Sequence, residues 1–115
     1  MDQHLLQIEE ELKDRFGSLP VETQNLIYQR RIYILAKRLG LKMLEYRKVD
    51  VVFSFDLRSK VNFVALPKIC QQDRAFYIPK EYSIAYRFQE NDFLDGVFAG
   101  VWRSIQDLNE RIQRL

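Results

Sequence analysis

The 115-residue chain predicts an α+β domain: an N-terminal helix pair, two β-hairpins forming an antiparallel sheet with an intervening short helix, and a long C-terminal helix packed on the sheet. Three observations carry that prediction. Apolar residues recur at three- and four-residue steps toward both ends of the chain, they alternate with polar ones in the middle, and Gly or Pro marks the change from one period to the other.

At the start, Leu5, Ile8, Leu12 and Phe16 share one helical face and leave Glu9, Glu10 and Lys13 off it, and Gly17 ends that helix. Ser18 or Leu19 then caps a second helix with Pro20 in its first turn, where a missing N–H costs nothing. This helix is predicted over 20–39, with Tyr28, Ile32, Leu35 and Leu39 facing the core, Ile27 and Ile34 widening that face, and Arg30 and Lys37 projecting from the other side. Gly40 stops it. From Leu41 the period becomes two: Met43, Glu45 and Arg47 alternate with Leu44 and Tyr46, then Val51, Phe53 and Phe55 with Val52, Ser54 and Asp56, which makes a hairpin turning near 48–50.

Residues 61–66 read alone as a strand, but Leu66, Ile69 and Cys70 with Pro67 in the first turn favour a short helix over 66–72. The aromatic-rich runs 75–78 and 83–88, separated by Pro79-Lys80-Glu81-Tyr82, form a second hairpin. The last helix is the clearest: Leu94, Phe98, Val101, Ile105, Leu108 and Ile112 hold helical spacing after an Asn91 or Asp92 cap. Gly96 and Gly100 sit four apart on it at a propensity cost of about 1 kcal/mol each, so another backbone is expected to approach closely there.

With 47% apolar residues and fifteen aromatics against four Gly and three Pro, the chain has enough apolar surface for one core and too little for two, so residues 1–115 are read as a single domain. A net charge of +2 does not make nucleic acid the default partner. The charge is unevenly spread, however. Residues 1–25 carry six acids and two bases, 26–48 seven bases and one acid, and the rest balances at nine and nine. The single cysteine, Cys70, excludes an internal disulfide and a Cys-rich zinc cluster and points to a reducing, cytoplasmic setting. No apolar run approaches the length of a membrane span, so no membrane partner is expected, and the isolated domain is expected to be monomeric.

A search for chemistry assigns no catalytic, cofactor-binding or metal residue. The four glycines never cluster into a phosphate loop, and His4, the one histidine, has no companions for a triad or metal site. Cys70 has no histidine to activate it and reads as a small core residue. Glu10 and Asp14 lie one turn apart, but acid/base work also needs a pocket that shifts their pKa values. The run Tyr82-Ser83-Ile84-Ala85-Tyr86-Arg87-Phe88 interleaves aromatics with a base as stacking platforms do, yet an alternating strand gives the same pattern. The basic stretch Arg30, Arg31, Lys37, Arg38 and Lys42 offers an alternative reading as a small nucleic-acid-binding domain.

One stretch is more specific than its composition. Glu11-Leu12-Lys13-Asp14-Arg15-Phe16-Gly17-Ser18-Leu19-Pro20, followed by Leu26 and by Arg31-Ile32-Tyr33-Ile34-Leu35-Ala36-Lys37-Arg38-Leu39-Gly40-Leu41, resembles the start of the C-terminal domain of the bacterial transcription-repair coupling factor, the Mfd family. The family string Glu-Leu-x-Asp-Arg-Phe-Gly-x-Leu-Pro and the later Leu-Ala-x-x-Leu-Gly pattern are both matched in order; residues 58–82 match no family string. The resemblance implies a regulatory domain without enzymatic activity of its own, belonging to a larger ATP-driven DNA translocase that displaces stalled RNA polymerase and recruits repair. ATP and Mg would then belong to motor domains elsewhere in the polypeptide, with no cofactor here. It further implies docking on the UvrA-binding module of the same polypeptide, which masks the surface UvrA uses and restrains the motor. UvrA, RNA polymerase and DNA would be reached only through the parent protein. By position in the family string, Glu11, Asp14 and Arg15 are the partner-docking residues, and their three- and four-residue spacing lets them form one polar ridge.

Overall fold

The computed structural model describes residues 20–115; the expected first helix and its Glu11, Asp14 and Arg15 lie outside the described residues, as does His4. The described part contains three α-helices and a four-stranded antiparallel sheet. In order these are α1 (Val21–Leu39), β1 (Leu41–Tyr46), β2 (Asp50–Phe55), a 3-10 turn (Phe63–Ala65) leading into α2 (Leu66–Gln72), β3 (Phe76–Tyr77), β4 (Ser83–Arg87) and α3 (Val97–Gln113). The sheet order is β1-β2-β4-β3, with every neighbouring pair antiparallel.

α1 begins directly after Pro20, whose fixed φ and absent N–H suit a helix start, and ends at Gly40 in the left-handed conformation (φ 75°). Gly40 is doubly required. A Cβ at this position would also meet the Ser59 side chain at 2.8 Å, and Ser59 Oγ donates to the Leu39 carbonyl at 2.8 Å, tying the helix end to the loop after β2.

β2 is the centre of the molecule, with all six residues buried. Its alternation sends Val51, Phe53 and Phe55 to one face, where they meet Ile84 and Phe76 from the neighbouring strands, Leu35 and Leu39 of α1, Leu66 and Ile69 of α2, and Ile105 and Leu108 of α3. The three described helices thus all cover one face of the sheet. Full burial of each such side chain contributes about 1.5–3 kcal/mol, so this cluster is the main source of stability. The opposite face carries the small residues Val52, Ser54, Ser83 and Ala85.

Two expectations change at the last helix. It begins at Val97 rather than just after Asn91 or Asp92, because Gly96 adopts φ 100° and ψ 171°, a backbone that cannot continue into a preceding helical turn; Leu94, assigned to the core face, is exposed in a turn. The close backbone approach expected at both glycines holds for one of them. A Cβ at Gly100 would lie 2.7 Å from the Asp92 carbonyl oxygen, whereas one at Gly96 meets nothing within 4 Å. The loop before α3 is instead held by Asp92, which accepts from Tyr86 Oη at 2.9 Å and from the Gln89 N–H, and by Phe93 packed on Phe88 with ring centroids 4.6 Å apart.

Candidate functional site

The described surface has two clusters that sequence spacing only partly foreshadows. The first runs along the outer side of α1 and onto β1. On α1, Tyr33 stands one turn from both Arg30 and Lys37, and the two cations lie 5.4 and 5.6 Å from its ring centroid. Tyr33 is 52% exposed although it sits between two cations. Beside it a shallow groove of about 340 Å³ opens between α1 and β1, lined by Tyr33, Ala36, Lys37, Leu41, Lys42, Met43 and Leu44. Within the expected basic surface, Arg30, Lys37, Arg38 and Lys42 are exposed, but Arg31 is only 8% accessible, so it belongs to the packed side of the helix. Helical geometry explains this: Arg31 falls one turn from Ile34 and Leu35 on the buried face. The basic face therefore consists of four of the five residues named from the sequence.

The second cluster closes the β1–β2 hairpin. Asp50, 5% exposed at the start of β2, accepts two hydrogen bonds from Arg47, each 2.7 Å, and a third from Tyr77 Oη of β3. Arg47 Nη2 also donates to Tyr77 Oη at 2.8 Å, and the Arg87 guanidinium lies 4.5 Å above the Tyr77 ring. The Arg47 hydrogen bonds, reinforced by Tyr77, hold the Asp50 carboxyl below the usual carboxylate range despite its burial. Reciprocally, Asp50 raises the Arg47 and Tyr77 pKa values above their ordinary ones. Arg47, Asp50 and Tyr77 are hydrogen-bonded to one another, so the arrangement fixes the hairpin, whose turn needs Lys48 at φ 69°, and pins it to β3 and β4. The signal available in the sequence was the Arg47/Asp50 pair three residues apart; Tyr77, thirty residues on from Arg47, had none.

Other candidates carry less chemistry. Cys70 is half-buried, as a core-edge residue on α2, and burial pushes its thiol pKa up, which disfavours the nucleophilic thiolate. Tyr86 is likewise pushed up by burial and by Asp92. Among the described residues no group of three or more His, Cys, Asp or Glu side chains is placed to hold a metal ion, and no helix is long and apolar enough to cross a membrane. The aromatic run 82–88 splits between faces: Ile84 and Tyr86 point to the helices and pack there, while Ala85 and Arg87 point away, so it forms no continuous stacking platform.

Among the described residues this small α+β domain presents a cation–aromatic face on α1 and, at the end of the sheet order, the outer edge of β1. The TRCF domain model matches residues 1–66, more than half of the chain, and the chain belongs to that family, a domain of transcription-repair coupling factors. Both strings quoted above fall inside the match. No curated protein matches the chain.

Proposed function

We propose that this domain is a docking module that keeps a transcription-repair coupling factor in a restrained state by binding the UvrA-binding module of the same polypeptide. The observation that carries the reading is the family match over residues 1–66, which includes the Glu11, Asp14 and Arg15 positions of the family string. Those three residues are the proposed contacts. In this reading the domain contributes no chemical step; the translocase activity, its ATP and Mg, and the encounters with RNA polymerase and DNA belong to other parts of the parent protein. A masking contact works by a coupling free energy. Docked and released states must differ by only a few kcal/mol, so that an arriving partner with a comparable differential affinity can exchange them. A modest polar contact suits that task better than a large apolar one, which would not release.

The test is a titration of the 115-residue chain against a separately produced UvrA-binding module, with a Glu11→Ala/Asp14→Ala variant shown to be folded. Saturable binding that the double substitution weakens about tenfold or more supports the proposal. Absence of binding at high micromolar concentrations, or binding that the substitutions leave unchanged, overturns respectively the docking and its placement.

A further inference from the structure

β1 is an edge strand, and the hydrogen-bond register tells which of its backbone groups face outward. Phe55 N–H donates to Tyr82 O across the β2–β4 pair, so the odd-numbered residues of β2 bond to β4 and the even-numbered ones to β1. The Arg47 N–H to Asp50 O bond confirms it at the turn. Glu45 and Met43 therefore exchange their bonds with Val52 and Ser54, while the N–H and C=O groups of Leu44 and Tyr46 point away from β2. Among the described residues these four groups have no partner. Those of Leu44 lie beside the groove floored by Ala36, Leu41 and Leu44, whose rim carries Lys37 and Lys42; among the described residues no acidic side chain lines it. Glu45 sits across the pleat, on the side of Arg47 and Met43.

We propose that the outer edge of β1 takes up an acidic, extended segment of a partner protein as a fifth strand of the sheet. This surface is separate from the Glu11, Asp14 and Arg15 contact and stands or falls without it. Two features select a polypeptide. The outward groups alternate donor and acceptor at a two-residue spacing, which a second strand satisfies completely, whereas phosphates would satisfy the N–H groups and leave the carbonyls unpaired. The groove beside them is mostly apolar and takes one row of the incoming side chains, with half-exposed Tyr33 as a wall. Acidity follows from the rim: carboxylates on the incoming strand meet Lys37 and Lys42, and basic ones are rejected. The edge also carries its own limits. The register slips between Leu41 and Met43, and a bulge with a lysine beside it blocks pairing at that end, as edge strands use to avoid indiscriminate association. The added strand is confined to the length of Met43 to Tyr46, so affinity depends on the side-chain row in the groove as much as on the backbone.

The probe is a fluorescent, roughly ten-residue peptide of alternating glutamate and valine, titrated into the 115-residue chain and followed by anisotropy. The expected result is saturable binding, with slowed amide hydrogen exchange at Leu44 and Tyr46 and no change at Met43 and Glu45. The charge reversals Lys37→Glu and Lys42→Glu, at exposed positions, should together weaken binding at least tenfold. Three outcomes overturn the proposal: equal binding by a peptide of the same charge whose central valines are prolines; tighter binding by a single-stranded oligonucleotide of equal charge; or protection of Leu44 and Tyr46 in the free chain that rises with its own concentration, which assigns the edge to a second copy.

Discussion

Replacing Gly100 by alanine sets two effects of known sign against each other. In a helix interior the substitution gains about 1 kcal/mol of propensity. At this position, however, the new Cβ would stand 2.7 Å from the Asp92 carbonyl oxygen and 3.0 Å from the Phe93 ring, the first of these a backbone atom with little freedom to move. Relief requires the 89–93 turn to back away from α3. That puts at risk the Tyr86 Oη to Asp92 hydrogen bond, the Gln89 N–H to Asp92 bond and the Phe93–Phe88 packing. Each hydrogen bond contributes about 0.5–1.5 kcal/mol and the aromatic pair about as much, so losing two of the three costs roughly 2 kcal/mol and the propensity gain offsets half of it. The expected net loss is about 1 kcal/mol, or a fall of about 4–6 °C in Tm for a domain of this size, measured by thermal unfolding monitored by circular dichroism. Gly96→Ala is the companion. It meets nothing, yet forces a side chain to φ 100°, and the strain of about 1–3 kcal/mol makes it at least as destabilising. A Gly100→Ala protein that melts at or above the wild-type temperature would refute the reasoning, because it would mean the turn yields without losing its bonds.

Two further outcomes follow from the core and the hairpin cluster. Phe53→Ala empties the middle of the buried face and should cost about 3–5 kcal/mol in urea unfolding, while Ile105→Val at the facing helix costs about 0.5–1.5 kcal/mol. Asp50 has a folded-state pKa below its unfolded value of about 3.9, so its contribution is complete above that value and is lost as pH falls through the folded pKa; Asp50→Asn should flatten the acid limb of the stability–pH curve and lower the plateau at neutral pH.

Most of the architecture was legible because its signals are local. Gly40, the switch to period two at Leu41 and Pro67 in the first turn of α2 each mark a boundary through the chemistry of one or two residues, and the structure puts the boundaries there. The start of α3 lies later than the spacing predicts because Leu94 continues the helical spacing by coincidence, while the deciding fact, Gly96 at φ 100°, leaves no trace in a hydrophobic pattern. Strand order was illegible for a different reason. Placing β4 between β2 and β3 depends on contacts thirty residues apart, which periodicity does not record. For the candidate site, spacing gave the exposed Arg30 and Lys37, but Arg31 was grouped with them because charge alone does not report which side of a helix a residue lies on. The expected docking residues Glu11, Asp14 and Arg15 rest on the family string.

The central position of β2 has a consequence for where this domain can be divided. The TRCF match ends at residue 66, yet β2 lies within it and draws its second hydrogen-bonded neighbour, β4, and its covering residues Ile69, Ile105 and Leu108 from beyond that point. The region that bears the family resemblance is thus not a folding unit: cut at its end, it would present Val51, Phe53 and Phe55 and one whole strand edge to water. The remaining piece, lacking the strand it is built around, would fare no better. Expressed apart, the two are expected to be insoluble, and expressed together to recover one another. Any transplant of this domain accordingly has to carry the chain through to the end of α3.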